Sequence, residues 1–76
     1  METNSNTIFI FATNIKTERD KAIISAVLND TPEIEQWSID LEDIDSVLRI
    51  VSPTLNAEKI IQIIKEQDFK CSELSE

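Results

Sequence analysis

Not one of the 76 residues is glycine, so every turn, corner and helix end in this chain has to be built from residues that carry a Cβ. Left-handed backbone, which glycine enters freely, falls to the residues that tolerate it next best, Asn and Asp. The same absence removes phosphate-cradling loops, the dinucleotide fingerprint, the nucleophile elbow and the EF-hand loop, each of which needs glycine where a side chain would block the ligand or the turn. There is no histidine either, which excludes the usual acyl-transfer triad and imidazole metal sites. A single cysteine, Cys71, makes no disulfide and no thiolate zinc cage. The fold therefore stands on packing alone and suits a reducing compartment, and the expected location is cytoplasmic.

Charge narrows the partners. Fifteen acidic against seven basic residues leave a net charge of −8, which repels phosphate backbones and anionic headgroups, so neither nucleic acid nor a membrane surface is expected. No apolar run approaches the roughly 20 residues of a spanning helix, and Met1 to Asn6 lacks the basic and apolar regions of a signal peptide. One domain over residues 1–76, with an ordered core from 7 to 74, is expected at this length. Such a chain buries only about 60% of its unfolded surface, so nearly every apolar residue is needed inside. A large cleft, and with it enzyme activity, is not expected.

Hydrophobic periodicity orders the elements. Thr7 to Thr13 is a β-branched and aromatic run that reads as a strand. From Glu18 to Asn29 the residues Ile23, Ile24, Val27 and Leu28 form one helical stripe, entered through Thr17-Glu18-Arg19-Asp20 and ended by Pro32. Ile34 to Leu41 alternates, Val47 to Val51 follows, and the acidic stretch Glu42 to Asp45 connects them. Asn56 caps a second helix, striped by Ile60, Ile61, Ile63 and Ile64 and expected to run to Gln67; Phe69 to Leu74 makes a last strand, with Ser75-Glu76 as tail. Strand, helix, strand, strand, helix, strand is the α+β ferredoxin-like βαββαβ sandwich, one four-stranded antiparallel sheet with two helices on one face.

In the first strand Phe9 and Phe11 fall on one face and Ile8 and Ile10 on the other; in the third, Leu48 and Ile50 oppose Val47 and Val51, with Arg49 between. A sandwich with one helix layer buries only one of these faces. If the two strands are neighbours, Ile8, Ile10, Val47 and Val51 make an apolar patch around Arg49 on the open face, of the kind that marks a protein contact.

Phe11 to Asp20, Trp37-Ser38-Ile39-Asp40, and Glu58-Lys59-Ile60-Ile61 through Phe69-Lys70 together resemble the heavy-metal-associated (HMA) domains of copper chaperones and metal-transporting ATPases, most of all the short, free-standing bacterial type. The resemblance runs from Thr7 to Leu74. It implies Cu(I) or a similar soft ion held by a Cys-x-x-Cys pair on the loop entering the first helix, where soft thiolates select soft metals. Matching Ile24 and Leu28 to the family's helix core and Pro32-Glu33-Ile34 to its corner puts Thr17 and Asp20 at the ligand positions. A hydroxyl and a carboxylate are hard ligands and do not replace two thiolates, so the metal site reads as degenerate and the pair as helix-start chemistry. The family's glycines fall at Asn14, Glu33, the Asp43-Ile44-Asp45 stretch and Asp68; Asn14 and Asp68 are the natural left-handed substitutes.

Three further features compete with bland readings. Cys71 can bind soft metal by bridging two chains or with Met1, or be a small buried residue beside Phe69. Asp40, Glu42, Asp43 and Asp45 can attract a hard cation, although so short a hairpin does not wrap one. Lys16, Arg19 and Lys21, with Lys70 approaching, can make an anion site at the first helix start, or a solvated turn. The reading that results is a small non-enzymatic interaction module that needs no cofactor and contacts a protein partner or a second copy. The alternative is weak Cu(I) or Zn binding, or metal trafficking, through Cys71 or carboxylates such as Asp20.

Overall fold

The β-branched run that opens the chain forms a strand over the residues expected of it. The computed structural model describes residues 7–74. In it β1 (Thr7–Thr13) is followed by α1 (Glu18–Asn29), β2 (Gln36–Ile39), β3 (Leu48–Ser52), α2 (Ala57–Lys65) and β4 (Cys71–Glu73). The strands form one four-stranded sheet in the order β2-β3-β1-β4, with every neighbouring pair antiparallel. This is the ferredoxin-like βαββαβ sandwich that the element order predicts. Met1 and the tail Ser75-Glu76 lie outside the described residues.

Period two sorts the side chains of the central strands. Phe11 is fully buried and Phe9 half-buried, their rings stacked with centroids 6.3 Å apart, whereas Ile8 is 64% exposed. On β3, Leu48, Ile50 and Ser52 are buried while Arg49 is exposed. The helices cover the Phe11 side: Ile24 and Leu28 of α1 and Ile60 and Ile64 of α2 join Phe11, Leu48, Ile50, Ile15 and Cys71 in one cluster. Both helices therefore lie on one face. Each fully buried aliphatic contributes about 1.5–3 kcal/mol, more than the marginal propensity of helices this short.

Side chains define the helix starts. Thr17 Oγ1 accepts from the Asp20 backbone N–H at 3.0 Å, and Asn56 Oδ1 from that of Lys59 at 2.8 Å. Several elements stop short of the spans expected of them. α2 ends at Lys65 because the N–H groups of Gln67 and Asp68 turn back to the carbonyls of Ile64 and Lys65. β2 is confined to Gln36–Ile39: the Ile34 N–H is taken by Thr31, and Asp40 Oδ1 accepts from the Glu42 N–H to start a turn.

Two glycine-free corners adopt left-handed backbone among the described residues, Asp68 with φ 68° and Ser46 with φ 44°. Asp68 fills the role expected of it after α2. Asn14 does not: its backbone stays out of that region, and its Oδ1 instead accepts from the Lys70 N–H at 2.8 Å, tying β1 to the approach to β4. The strained residue in the β2–β3 connection is Ser46, which carries no Asx propensity. It is held by tertiary contacts, since its N–H donates to the Asp43 carbonyl at 2.9 Å and its carbonyl accepts from Thr13 Oγ1 at 2.8 Å.

Candidate functional site

The loop from β1 into α1 is organised by Thr13. Its hydroxyl donates to the Ser46 carbonyl and accepts from the Ile15 N–H at 3.2 Å, while its own N–H donates to the Asp45 carbonyl at 2.9 Å. Ile15 is fully buried and anchors the loop in the core. The chain then emerges at Lys16, whose Nζ reaches across to the Ile44 carbonyl at 2.8 Å. The β2–β3 loop and the helix entry are thus locked together at one end of the sheet.

Within that frame Thr17 and Asp20 serve each other's backbone. Thr17 Oγ1 caps Asp20, and Asp20 Oδ2 returns to the Lys16 N–H at 3.3 Å, an arrangement close to a capping box. The donor set is one hydroxyl and one carboxylate, both engaged and both hard, so it does not fit Cu(I). No group of three or more Cys, Asp or Glu residues among the described residues is placed to hold a metal ion.

Cys71 stands opposite Thr13 in the β1–β4 register, on the core side, and is 6% exposed. Burial pushes its thiol up to about 11, with the Lys65 ammonium opposing part of that rise. The soft-metal ligand is the thiolate, and near neutral pH this group is a thiol.

Asp40 and Asp43, from the acidic loop, turn a carboxylate oxygen onto main chain: Asp40 accepts from Glu42 at 3.1 Å and Asp43 from Asp45 at 2.8 Å. Ile44 at the tip is 87% exposed. Of the basic set at the α1 start, Lys16 is drawn to the Ile44 carbonyl, Arg19 is exposed in the first turn and Lys21 is half-buried. Lys70 does approach Asn14, but the lysine that joins it there is Lys65. Together they line a groove of about 510 Å³ with Ala12, Asn14, Phe69 and Ser72, over Thr13 and Cys71. Lys65 was not among the residues that the sequence singles out; it enters only because it closes the last turn of α2 beside this groove.

The open face follows from the strand registers. Ile8 pairs with Val51, Ile10 with Arg49, Gln36 with Val51 and Ser38 with Arg49. Ile8 is exposed, Ile10 and Val51 are half-buried, and Ile8, Gln36, Ser38, Arg49 and Val51 edge a shallow depression. Arg49 makes no ion pair among the described residues. Val47 departs from the expected patch: it precedes β3, its carbonyl accepts from the Asp40 N–H, and it is 9% exposed. Leu74 takes part on the other side, since its N–H donates to the Ile10 carbonyl at 2.9 Å and it is half-buried.

No helix among the described residues is long and apolar enough to cross a membrane. No family model matches the chain, and no curated protein matches it. Among solved structures it is similar to the apo form of the HMA domain of a copper chaperone for superoxide dismutase, with a TM-score of 0.76 and 13% identity over 99% of this chain and 76% of that one. Identity at that level bears on the fold alone. The chain has a ferredoxin-like architecture similar to that of this HMA domain, and its first helix is entered through the Thr17–Asp20 cap.

Proposed function

We propose that this chain is a non-enzymatic interaction module derived from a heavy-metal-associated domain that lacks the paired thiolates, and that its open sheet face docks a protein partner. The observation that carries this reading is the combination on one face of exposed Ile8, half-buried Ile10 and Val51, and the guanidinium of Arg49, which has no ion pair among the described residues. An apolar row with one cation fits a partner that brings apolar side chains and a carboxylate. A second copy is the less suited occupant, since each chain carries −8 and self-repulsion opposes it.

Photo-crosslinkers placed at Ile8 and, as a control, at Ile44 test the reading in cells. The expected result is a discrete adduct from Ile8 alone, lost when Arg49→Glu is added, while sedimentation of the purified chain shows a monomer. Identical adducts from both positions, or none from Ile8, would overturn it. A concentration-dependent dimer whose amide shifts map to β1 and β3 would replace the partner with a second copy.

The likeness to a copper-chaperone domain supports a second reading, residual Cu(I) or Zn binding through Cys71 or Asp20. Capping by Asp20 and burial of Cys71 oppose it. Amide signals of Thr17, Asp20 and Cys71 that stay still at millimolar metal reject it.

A further inference from the structure

Fifteen acidic side chains are spread over this chain, yet among the described residues none of them lines the groove where the end of α2 meets the start of β4. Two lysines do. Lys65 ends α2 and Lys70 immediately precedes β4; both are exposed, and neither makes an ion pair among the described residues. Glu66, Asp68 and Glu73 are sequence neighbours that do not line the groove. The reversal that brings the lysines together is made by Asp68 at φ 68°, which turns the chain back after α2. The hydrogen bond from the Lys70 N–H to Asn14 Oδ1 then holds the far wall. That bond also fixes the Asn14 amide so that its oxygen is occupied and its NH2 group remains a donor. The apolar part of the lining comes from Ala12 and half-buried Phe69, with Cys71 almost wholly buried behind it.

We infer that this groove is a binding site for a carboxylate carried on a short apolar or aromatic body. The carboxylate would sit between the Lys65 and Lys70 ammoniums, with the Asn14 amide and the Ser72 hydroxyl as further donors and the body against Phe69 and Ala12. Two ammoniums and an amide match the acceptor-only chemistry of a carboxylate, and no described acid lines the groove to compete for them. The occupant is either a small free acid or the C-terminus of a peptide ending in an aromatic residue. The site is separate from the open-face depression edged by Ile8 and Arg49 and does not depend on that proposal.

Titration of the 15N-labelled chain with phenylacetate, at ionic strength held constant with sodium chloride, tests it. Saturable shifts are expected at Ala12, Asn14 and Phe69 to Ser72, with a dissociation constant below about 10 mM. Phenylacetamide, which lacks the charge, should leave these signals still. The double variant K65Q/K70Q, whose sites are exposed and whose spectrum should otherwise match the parent, is expected to weaken binding by at least about threefold. A peptide acetyl-Ala-Phe with a free C-terminus, compared with phenylacetate, identifies the source: tighter binding of the peptide assigns a chain terminus, and tighter binding of phenylacetate a free acid. Linear shifts, equal shifts with sodium chloride or phenylacetamide, or an unchanged constant in K65Q/K70Q would each overturn the assignment.

Discussion

Ser46 is the place where a chain without glycine stores strain, and Ser46→Gly should relieve it. Holding a residue with a Cβ in left-handed backbone at φ 44° costs about 1–2 kcal/mol. Ser46 is also fully buried, and its Oγ finds no hydrogen-bond partner among the described residues, a deficit of about 1–3 kcal/mol. Glycine returns about 0.5–1 kcal/mol of this through the greater freedom of the unfolded chain. The main-chain bonds to Asp43 and Thr13 survive the change, because neither uses the side chain. Taking the lower ends, S46G should gain about 1 kcal/mol, a rise of roughly 4–8 °C in melting temperature for a domain this small. Urea and thermal unfolding followed by circular dichroism measure it, with Ser46→Ala separating the two contributions, since alanine removes the hydroxyl and keeps the Cβ. The expected order of stability is S46G above S46A above the parent. If S46G is no more stable than S46A, the backbone part of the reasoning fails; if S46A is no more stable than the parent, the hydroxyl part fails.

Thr17→Ala should cost about 1 kcal/mol through the lost cap on Asp20 while Thr17→Ser costs little, and chemical unfolding distinguishes the two. In the same loop, T17C/D20C should create Cu(I) binding detectable by competition with a coloured chelator, and a double variant that folds but competes no better than the parent would show that the helix entry is not shaped for two thiolates. The Cys71 thiol, raised from 9.0 to about 11 chiefly by burial, favours the folded state in its protonated form. Its contribution is therefore complete below pH 9 and lost as pH rises through 11; a stability curve whose fall across that window is unchanged in Cys71→Ala would contradict the assignment.

How much of this was legible in advance depends on the range of the interactions. Period two in Ile8-Phe9-Ile10-Phe11 separates a core face from an open face, and period 3.6 gives the stripes Ile23, Ile24, Val27, Leu28 and Ile60, Ile61, Ile63, Ile64. Of these Ile24, Leu28, Ile60 and Ile64 are buried against the sheet, Val27, Ile61 and Ile63 are half-buried, and Ile23 is 42% exposed at the stripe's edge. Caps at Thr17 and Asn56 were readable because each acts three residues along the chain. Misreadings arose where partners are distant. Asn14 looked like a glycine substitute, but its side chain answers to Lys70, 56 residues away. Lys16 looked like part of an anion site, but it serves the Ile44 carbonyl, 28 residues away.

The candidate sites divide in the same way. That Ile8, Ile10 and Val51 share a face with Arg49 follows from side-chain alternation, because the pleat gives each strand only two faces. Val47 is buried where the β2–β3 connection closes on it through the Asp40 N–H, and Lys65 and Lys70 share a groove that no described carboxylate lines because the chain reverses at Asp68 and docks on Asn14. The missing glycines show both sides. Composition alone dictated that residues with a Cβ must take any left-handed corner. Which ones do was decided by closure of the structure, at Asp68 by the local end of a helix and at Ser46 by the grip of Thr13 from another strand.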